Sequence, residues 1–488
     1  MSRLRRHWRW VLAAAVAATV ATPAAAAAAP AERQRSTQGI EWDACTDPVF
    51  AGKQCGTMRV PVDWSRPRGA HLTLALVRQP ALDPAHRIGT LLINNGRGLS
   101  AIEQFRYALE GLTQIGGAMP QRFDLLAVDT RGAGHSTPIR CAEPLKPAGI
   151  SYFPESKAAF DKLVAHNRTL GRDCVRRNGS LVAHMDQAGT ARDLDAVRVA
   201  LGERQLDWYG IKYSDLLGRT YAKLFPGRLR TMVLDTAVDD TVSPADRALQ
   251  EAGAAEDAFN RFAERCSTSQ DCALRGQDAA ARYDALVSRA NRRPIPAGAV
   301  RHPMTGEDIQ EATQPLLPVV QIGWPRLAAA ILQAEAGDAT LFAASGDRTA
   351  LAPVHARACA DDPRRIRSFG QLSRVQRRLV ERSPHLGGAV SSAIALSGCI
   401  GWPVPPKPVD AGKPVSGAPP ALIVQSTHQV FAPHAAGYAM ARQLPGSVVL
   451  SREGDDYSMF AISQCVRDTT NRYLTERALP AQNTICTD

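Results

Sequence analysis

Residues 208–221 read WYGIKYSDLLGRTY. Leu206–Ile211 reads as a strand, and a helix from about Tyr213 to Phe225 follows it at once, closed by Pro226-Gly227. The strand therefore runs straight into the helix through Gly210-Ile211-Lys212-Tyr213-Ser214, with Lys212 as the central residue of the connection. Working outward, Thr231–Asp235 is the next strand. Upstream lie Thr90–Asn94 (TLLIN), Phe123–Asp129 (FDLLAVD) and a helix over Thr190–Leu201, in which Ala191, Leu194, Val197 and Leu201 share a face. Strands and helices alternate from 90 to 235, which predicts a mostly parallel sheet with crossover helices.

Further upstream, Thr57–Trp64 and His71–Arg78 flank Ser65-Arg66-Pro67-Arg68-Gly69 and read as a β-hairpin. Residues 240–395 change character: they are helical, rich in Ala and Arg, and lie between two sheet-forming parts, as an inserted helical cap does. A Pro-rich link over Trp402–Pro419 leads to a strand at Ala421–Gln425 (ALIVQ). A helix follows at about Ala435–Leu444, a strand at Ser447–Ser451, and a terminal helix over Cys465–Arg477. The division expected is a leader at 1–29, sheet-forming parts at 30–239 and 396–488, and a cap or lid at 240–395.

The leader has a basic start, an apolar run from about Val11 to Val20 and small residues through Ala29, the parts of a cleavable export signal. The apolar run is shorter than the ~20 residues that span a bilayer, so no stable membrane insertion is expected after cleavage. The ten cysteines, Cys45, Cys55, Cys141, Cys174, Cys266, Cys272, Cys359, Cys399, Cys465 and Cys486, contain no CxxC pair, which argues against zinc or a redox dithiol. Taken in order they make five neighbouring couples, and oxidised pairs fit a secreted, extracytoplasmic protein. The formal charge is +11, of which Arg3, Arg5, Arg6 and Arg9 supply four. The rest is spread without a basic block, so nucleic acid is not an expected partner. No metal or nucleotide motif is present and no cofactor is implied.

Three stretches together carry a resemblance: Asp124–Pro138 (DLLAVDTRGAGHSTP), Tyr209–Asp235, and the last ninety residues, with Trp402-Pro403, ALIVQST, Leu444-Pro445-Gly446-Ser447, Cys465-Val466 and Ala478-Leu479-Pro480 before Cys486. In order and spacing the chain resembles the secreted tripeptidyl aminopeptidase-like branch of the serine peptidases related to proline iminopeptidase. The resemblance implies the α/β-hydrolase fold and a Ser, Asp, His triad in that chain order. It also implies the G-x-S-x-G turn, in which the apical serine attacks and the following N–H forms half of an oxyanion hole.

On those positions this chain has other residues. Lys212 stands at the nucleophile and Ser214 at the second glycine. Gln429, in Gln425-Ser426-Thr427-His428-Gln429-Val430, stands at the acid, and Tyr457, after Gly454-Asp455-Asp456, stands at the histidine. The family's Gly-rich oxyanion loop becomes Asn94-Asn95-Gly96-Arg97-Gly98-Leu99. Acyl transfer needs a nucleophile, a base in reach and a group to orient it. Gln429 cannot balance an imidazolium, and a tyrosine with a pKa near ~10 is a poor base at neutral pH. A bulky Arg97 in place of glycine is expected to obstruct the oxyanion pocket.

The reading favoured is a non-hydrolytic pseudoenzyme binding a peptide or small molecule, with Asn95, Gly96, Arg97, Tyr213, Asp455 and Asp456 lining the pocket. Lys212 is either a residue drifted onto an exposed turn, or a pocket amine near Asp455 or Asp456 that can bind a carboxylate. The alternatives are a re-purposed catalyst using Lys212, Asp456 and Tyr457, and an active hydrolase or exopeptidase built from residues that the sequence does not identify. Ser214 as a displaced nucleophile and His428 as a stand-in for the lost histidine are set aside, because Ser214 reads as lining the helix start and His428 as an exposed loop residue. His135, Asp129 and Arg131 are expected to shape their turn.

Overall fold

The computed structural model describes residues 39–488 except 97–98, 112–114, 143–144, 213, 299–301, 345–351, 362–365, 408–412 and 457–458. The leader therefore lies outside the described residues. The first sheet-forming part consists of β1 (Glu41–Ala44), β2 (Gln54–Pro61), β3 (His71–Gln79), β4 (Gly89–Asn94), α1 (Ala101–Leu109), α2 (Ala118–Arg122), β5 (Phe123–Val128), α3 (Lys157–Asn178), α4 (Gln187–Ala200), β6 (Leu206–Ile211), α5 (Ser214–Leu224) and β7 (Leu229–Asp235). Helices α6 (Pro244–Thr268), α7 (Ala279–Arg292), α8 (Gly306–Thr313), α9 (Val320–Glu335), α10 (Thr340–Ala343), α11 (Ala352–Asp361), α12 (Phe369–Arg382) and α13 (Ser391–Gly398) follow. The chain ends in β8 (Leu422–Ser426), α14 (Ala435–Gln443), β9 (Val448–Arg452), α15 (Gln464–Glu476) and β10 (Ile485–Cys486).

The strands form one sheet in the order β1-β2-β3-β5-β4-β6-β7-β8-β9-β10. The expected hairpin is β2 and β3, paired antiparallel with Met58 opposite Leu74. β3 joins the parallel part through an antiparallel pairing with β5. From β5 to β10 every pair is parallel, with β4 between β5 and β6. This is the α/β-hydrolase fold.

β6 shows how the sheet is covered on both faces. Successive strand side chains point to opposite sides, and Leu206 and Trp208 enter one core with Leu194, Val197 and Tyr221, while Tyr209 and Ile211 enter the other with Phe105, Val466 and Leu474. The α6–α13 helices carry a further hydrophobic cluster centred on Phe259, Phe262, Tyr283, Trp324 and Leu327. Burying a large side chain of this kind stabilises by about 1.5–3 kcal/mol before ordering entropy is counted.

The cysteines pair as neighbours: Cys45–Cys55, Cys141–Cys174, Cys266–Cys272, Cys359–Cys399 and Cys465–Cys486. The last bond ties α15 to β10, a strand of only two residues that pairs with β9. Among the described residues no helix is long and apolar enough to cross a membrane.

Candidate functional site at the strand-to-helix turn

The turn after β6 is fixed from both sides. The Lys212 N–H donates to the Asp235 carbonyl at the end of β7 (2.8 Å), and its own carbonyl accepts from the Asp215 N–H (3.2 Å). Lys212 holds φ at +51°, a left-handed conformation that costs a side-chain-bearing residue about 1–2 kcal/mol. Its position at the carboxyl ends of the parallel strands is where open α/β sheets bind ligands. Gly210 is needed for the approach of α5: a Cβ there would lie 2.5 Å from the Ser214 Oγ and 2.6 Å from the Trp208 Nε1. The ammonium of Lys212 sits 4.6 Å from the centre of the Phe431 ring.

Ser214, at the start of α5, is fully buried, and its hydroxyl has no hydrogen-bond partner among the described residues. It is packed against Gly210 beneath the turn and is not presented to solvent or to a base.

Gln429 lies in the loop after β8 and is 1% exposed. Its Oε1 accepts the backbone N–H of Phe431 and, at 3.3 Å, that of Ala432. The side chain therefore closes its own loop, and its Nε2 has no acceptor among the described residues. Neighbouring His428 is spoken for as well: its N–H donates to the Gly454 carbonyl (2.9 Å) and its Nδ1 meets Asp257 of α6 (2.8 Å).

The carboxylates expected beside Lys212 are bound to other groups. Both oxygens of Asp455 meet Arg261 of α6. Asp456 accepts the Val320 N–H at the start of α9 (3.0 Å) and lies 3.6 Å from Arg452. Burial pushes the Asp456 carboxyl up, against the lowering effect of these partners. Asp257 and Arg261 are one turn apart, so α6 pins the loops after β8 and β9 together. Arg261→Ala is expected to cost about 1 kcal/mol or less, because the pair is partly solvated. Its larger readout is faster hydrogen exchange in residues 244–268 and 453–456, with the sheet unaffected; unchanged exchange there would show that the pair does not hold the loop.

On the opposite side, the Asn94 Oδ1 accepts the Gly96 N–H (2.9 Å), Gly96 holds φ at +50°, and the Asn95 amide reaches Gln104 (3.3 Å). Below them Asp129 is buried and accepts from the Ser100 hydroxyl, the Ile102 N–H and the His135 N–H. Burial is the main reason its carboxyl is pushed up. The His135 ring meets Glu103 at 2.8 Å, at the rim. Arg131 turns away from the site toward α4. Three expected site residues, Arg97, Tyr213 and Tyr457, lie outside the described residues.

One buried acid beneath the turn was not singled out from the sequence. The Asp235 carboxyl accepts from the Tyr209 hydroxyl (3.2 Å) and from the backbone N–H groups of Met459 and Phe460. Its burial pushes it up to about 6. The one signal available was its place at the carboxyl end of an apolar strand. Among the described residues, the cluster of potential metal ligands is Cys465, Cys486 and Asp488, two of which form a disulfide.

The model of the family described as TAP-like protein matches residues 384–486. Serine protease Hip1 of Mycobacterium tuberculosis is 31% identical over 92% of this chain and 91% of its own length. Carboxylesterase B of the same organism is 30% identical over 91% and 89%. The tripeptidyl aminopeptidase of Streptomyces coelicolor is 28% identical over 93% and 87%.

Proposed function

This chain belongs to the TAP-like α/β-hydrolases, and from that premise we propose that it is a non-hydrolytic member of the family, exported and binding a peptide or small molecule above the strand-to-helix turn. The observation that carries the reading is Lys212 at the apex of that turn, in the left-handed conformation that presents an attacking hydroxyl in a G-x-S-x-G enzyme. An ammonium has no lone pair to attack an acyl carbon, and the Phe431 face attracts the charged amine through its ring quadrupole.

The surroundings support the same conclusion. Gln429 is neutral and its oxygen is occupied by two backbone donors, so it cannot orient or charge-balance an imidazole. Ser214 is sealed beneath the turn, and the His428 ring is engaged by Asp257 of α6. We take the α6–α13 segment as the cap over the ligand, because its helices α6 and α9 are bonded directly to the loops after β8 and β9. Export is supported by the leader and by five disulfides, which persist in oxidising compartments.

The test is hydrolysis of aminoacyl, tripeptidyl and ester chromogenic substrates by the mature protein, with a fluorophosphonate probe run in parallel. No turnover above the blank and no covalent labelling are expected. Lys212→Ser is expected to stay inactive, since it restores a hydroxyl without a base or an acid. Robust wild-type turnover, abolished by replacing Lys212, Ser214 or His428, would overturn the reading.

A further inference from the structure

We propose that the outer face of helix α12 is a docking surface for an anionic phospholipid membrane, which it binds by charge and without insertion. The proposal goes beyond the reading of the strand-to-helix turn and does not depend on it.

The sequence of α12 is FGQLSRVQRRLVER, and Arg367 precedes it by two residues. At 3.6 residues per turn its side chains divide into two faces. Phe369, Leu372, Val375 and Leu379 lie on one. Phe369 meets the Phe160 ring, Leu372 packs with Phe160, Leu163 and Ile400, and Val375 and Leu379 join the hydrophobic cluster of the cap. Arg367, Arg374, Arg377, Arg378 and Arg382 lie on the other, within an arc of about 140°, and all five are exposed. Glu381 is the only acid of the helix. Arg374, Arg378 and Arg382 follow one another at four-residue steps, about 6 Å apart along the axis.

The protein does not neutralise this face itself. Arg378 lies 3.8 Å from Asp246 of α6, an exposed pair worth little, and Arg377 donates to the Ser373 hydroxyl. The side chains of Arg367, Arg374 and Arg382 meet no acid among the described residues. On α3, by contrast, Arg176 and Arg177 both bind Asp173. Like charges four residues apart on a helix repel, so the row on α12 carries a cost that an external anion removes. The shape of the face selects that anion. The arginines stand on the outside of a convex helix, not around a cleft, and a guanidinium takes phosphate oxygens in a bidentate fork. A planar array of phosphates meets all of them at once. Gly370 and Gln371 fill the rest of the arc, so no aromatic ring stands there to stack on a nucleic-acid base. Because the apolar side is already packed inside the protein, the helix has nothing to insert into hydrocarbon, and the association is electrostatic and screened by salt.

The experiment is co-sedimentation of the mature protein with vesicles of phosphatidylcholine alone and of phosphatidylcholine mixed equally with phosphatidylglycerol, at low salt and at about 0.5 M NaCl. Binding is expected only to the mixed vesicles and only at low salt. Near such a surface each basic side chain is worth about fivefold in affinity. Arg374→Gln is expected to bind about fivefold more weakly, and Arg374→Gln with Arg378→Gln and Arg382→Gln about a hundredfold more weakly. Glutamine is nearly as good a helix former as arginine, and an unchanged Tm checks that both variants are folded. Arg168→Gln with Arg172→Gln and Arg192→Gln removes the same charge from exposed positions of α3 and α4 and is expected to bind as the wild type does. Absence of binding to the mixed vesicles at low salt would overturn the proposal. Equal losses in the two triple variants would also overturn it, by assigning the attraction to net charge. Tighter binding to duplex DNA or to polyglutamate than to the mixed vesicles, lost in the same α12 variant, would overturn it by assigning a different partner.

Discussion

Replacing Arg131 by methionine is expected to destabilise the protein by about 3–5 kcal/mol, the cost of removing one partner from a buried ion pair. The Arg131 and Asp193 side chains are each 1% exposed. All the guanidinium nitrogens are engaged: Nε and Nη2 with Asp193 (2.7 and 2.6 Å), Nη1 with the carbonyls of Val62 and His184, and Nη2 also with that of Pro61. Asp193 in turn accepts from the Trp64 indole at 3.0 Å. The cluster ties β2, the turn after β5 and α4 into one unit under the site. Without Arg131 the Asp193 carboxylate has lost its counter-charge in a dry environment and is driven further toward protonation. A carboxyl whose folded pKa is raised gives stability that is full at low pH and is lost as pH rises, so the deficit of the variant should shrink on acidification. Urea denaturation at two pH values measures both effects. Arg131→Met combined with Asp193→Leu should recover a large part of the loss, because no uncompensated charge remains. A single-variant cost under about 1 kcal/mol would mean that water reaches the pair and screens it.

The same residues show what could be read from the sequence. The strand-to-helix turn was legible because β6 runs directly into a helix closed by Pro226-Gly227, and the family's G-x-S-x-G turn placed Lys212 at its apex. The end strands were not legible. β10 has two residues and no apolar pattern, and it exists because Cys486 is bonded to Cys465 and lies beside β9. Helix α3 went unnoticed although Phe160, Leu163, Asn167, Leu170 and Cys174 bury one face, because an asparagine in the middle and many charges dilute its periodicity. Asn167 is there for its amide, which donates to the Ser397 and Ile400 carbonyls. In the site, the residues at 212 and 429 stood out only through the resemblance to the tripeptidyl aminopeptidase-like family, which implies a serine and an aspartate there. What Asp455, Asp456 and His428 bind was not legible, because their partners on α6 and α9 are between 136 and 194 residues away in the chain. These acids were expected beside Lys212; their bonding to Arg261 and Val320 follows from the way α6 and α9 pack over the loops, while Arg452 is four residues from Asp456 at the end of β9. Arg131 was expected to brace its own turn, and its reach to Asp193 is likewise a matter of tertiary packing.

Asp235→Asn is expected to change the pH dependence of stability more than its value at any single pH. An unfolded aspartate titrates near 3.8, and this one, fully buried, titrates at about 6. At low pH both states are protonated and the buried carboxyl carries no ionisation cost. As pH rises through the window from 3.8 to 6, the unfolded chain ionises first and stability is lost; above the folded value the loss is constant. Over the whole window the shift corresponds to about 3 kcal/mol. Asparagine keeps an oxygen for the Met459 and Phe460 N–H groups and does not titrate. The stability of the variant relative to wild type should therefore rise by about 2 kcal/mol between about pH 4.5 and about pH 7.5. A difference that stays flat with pH would show that Asp235 titrates as an ordinary aspartate. The effect bears on the site because this one residue touches both of its halves: its backbone carbonyl holds the Lys212 N–H, and its side chain holds the backbone just after residues 457–458. A protein that needed an aspartate there for catalysis would lose activity in the asparagine variant. A binding protein should keep its affinity for its ligand and gain stability at neutral pH, and that contrast separates the two roles in one variant.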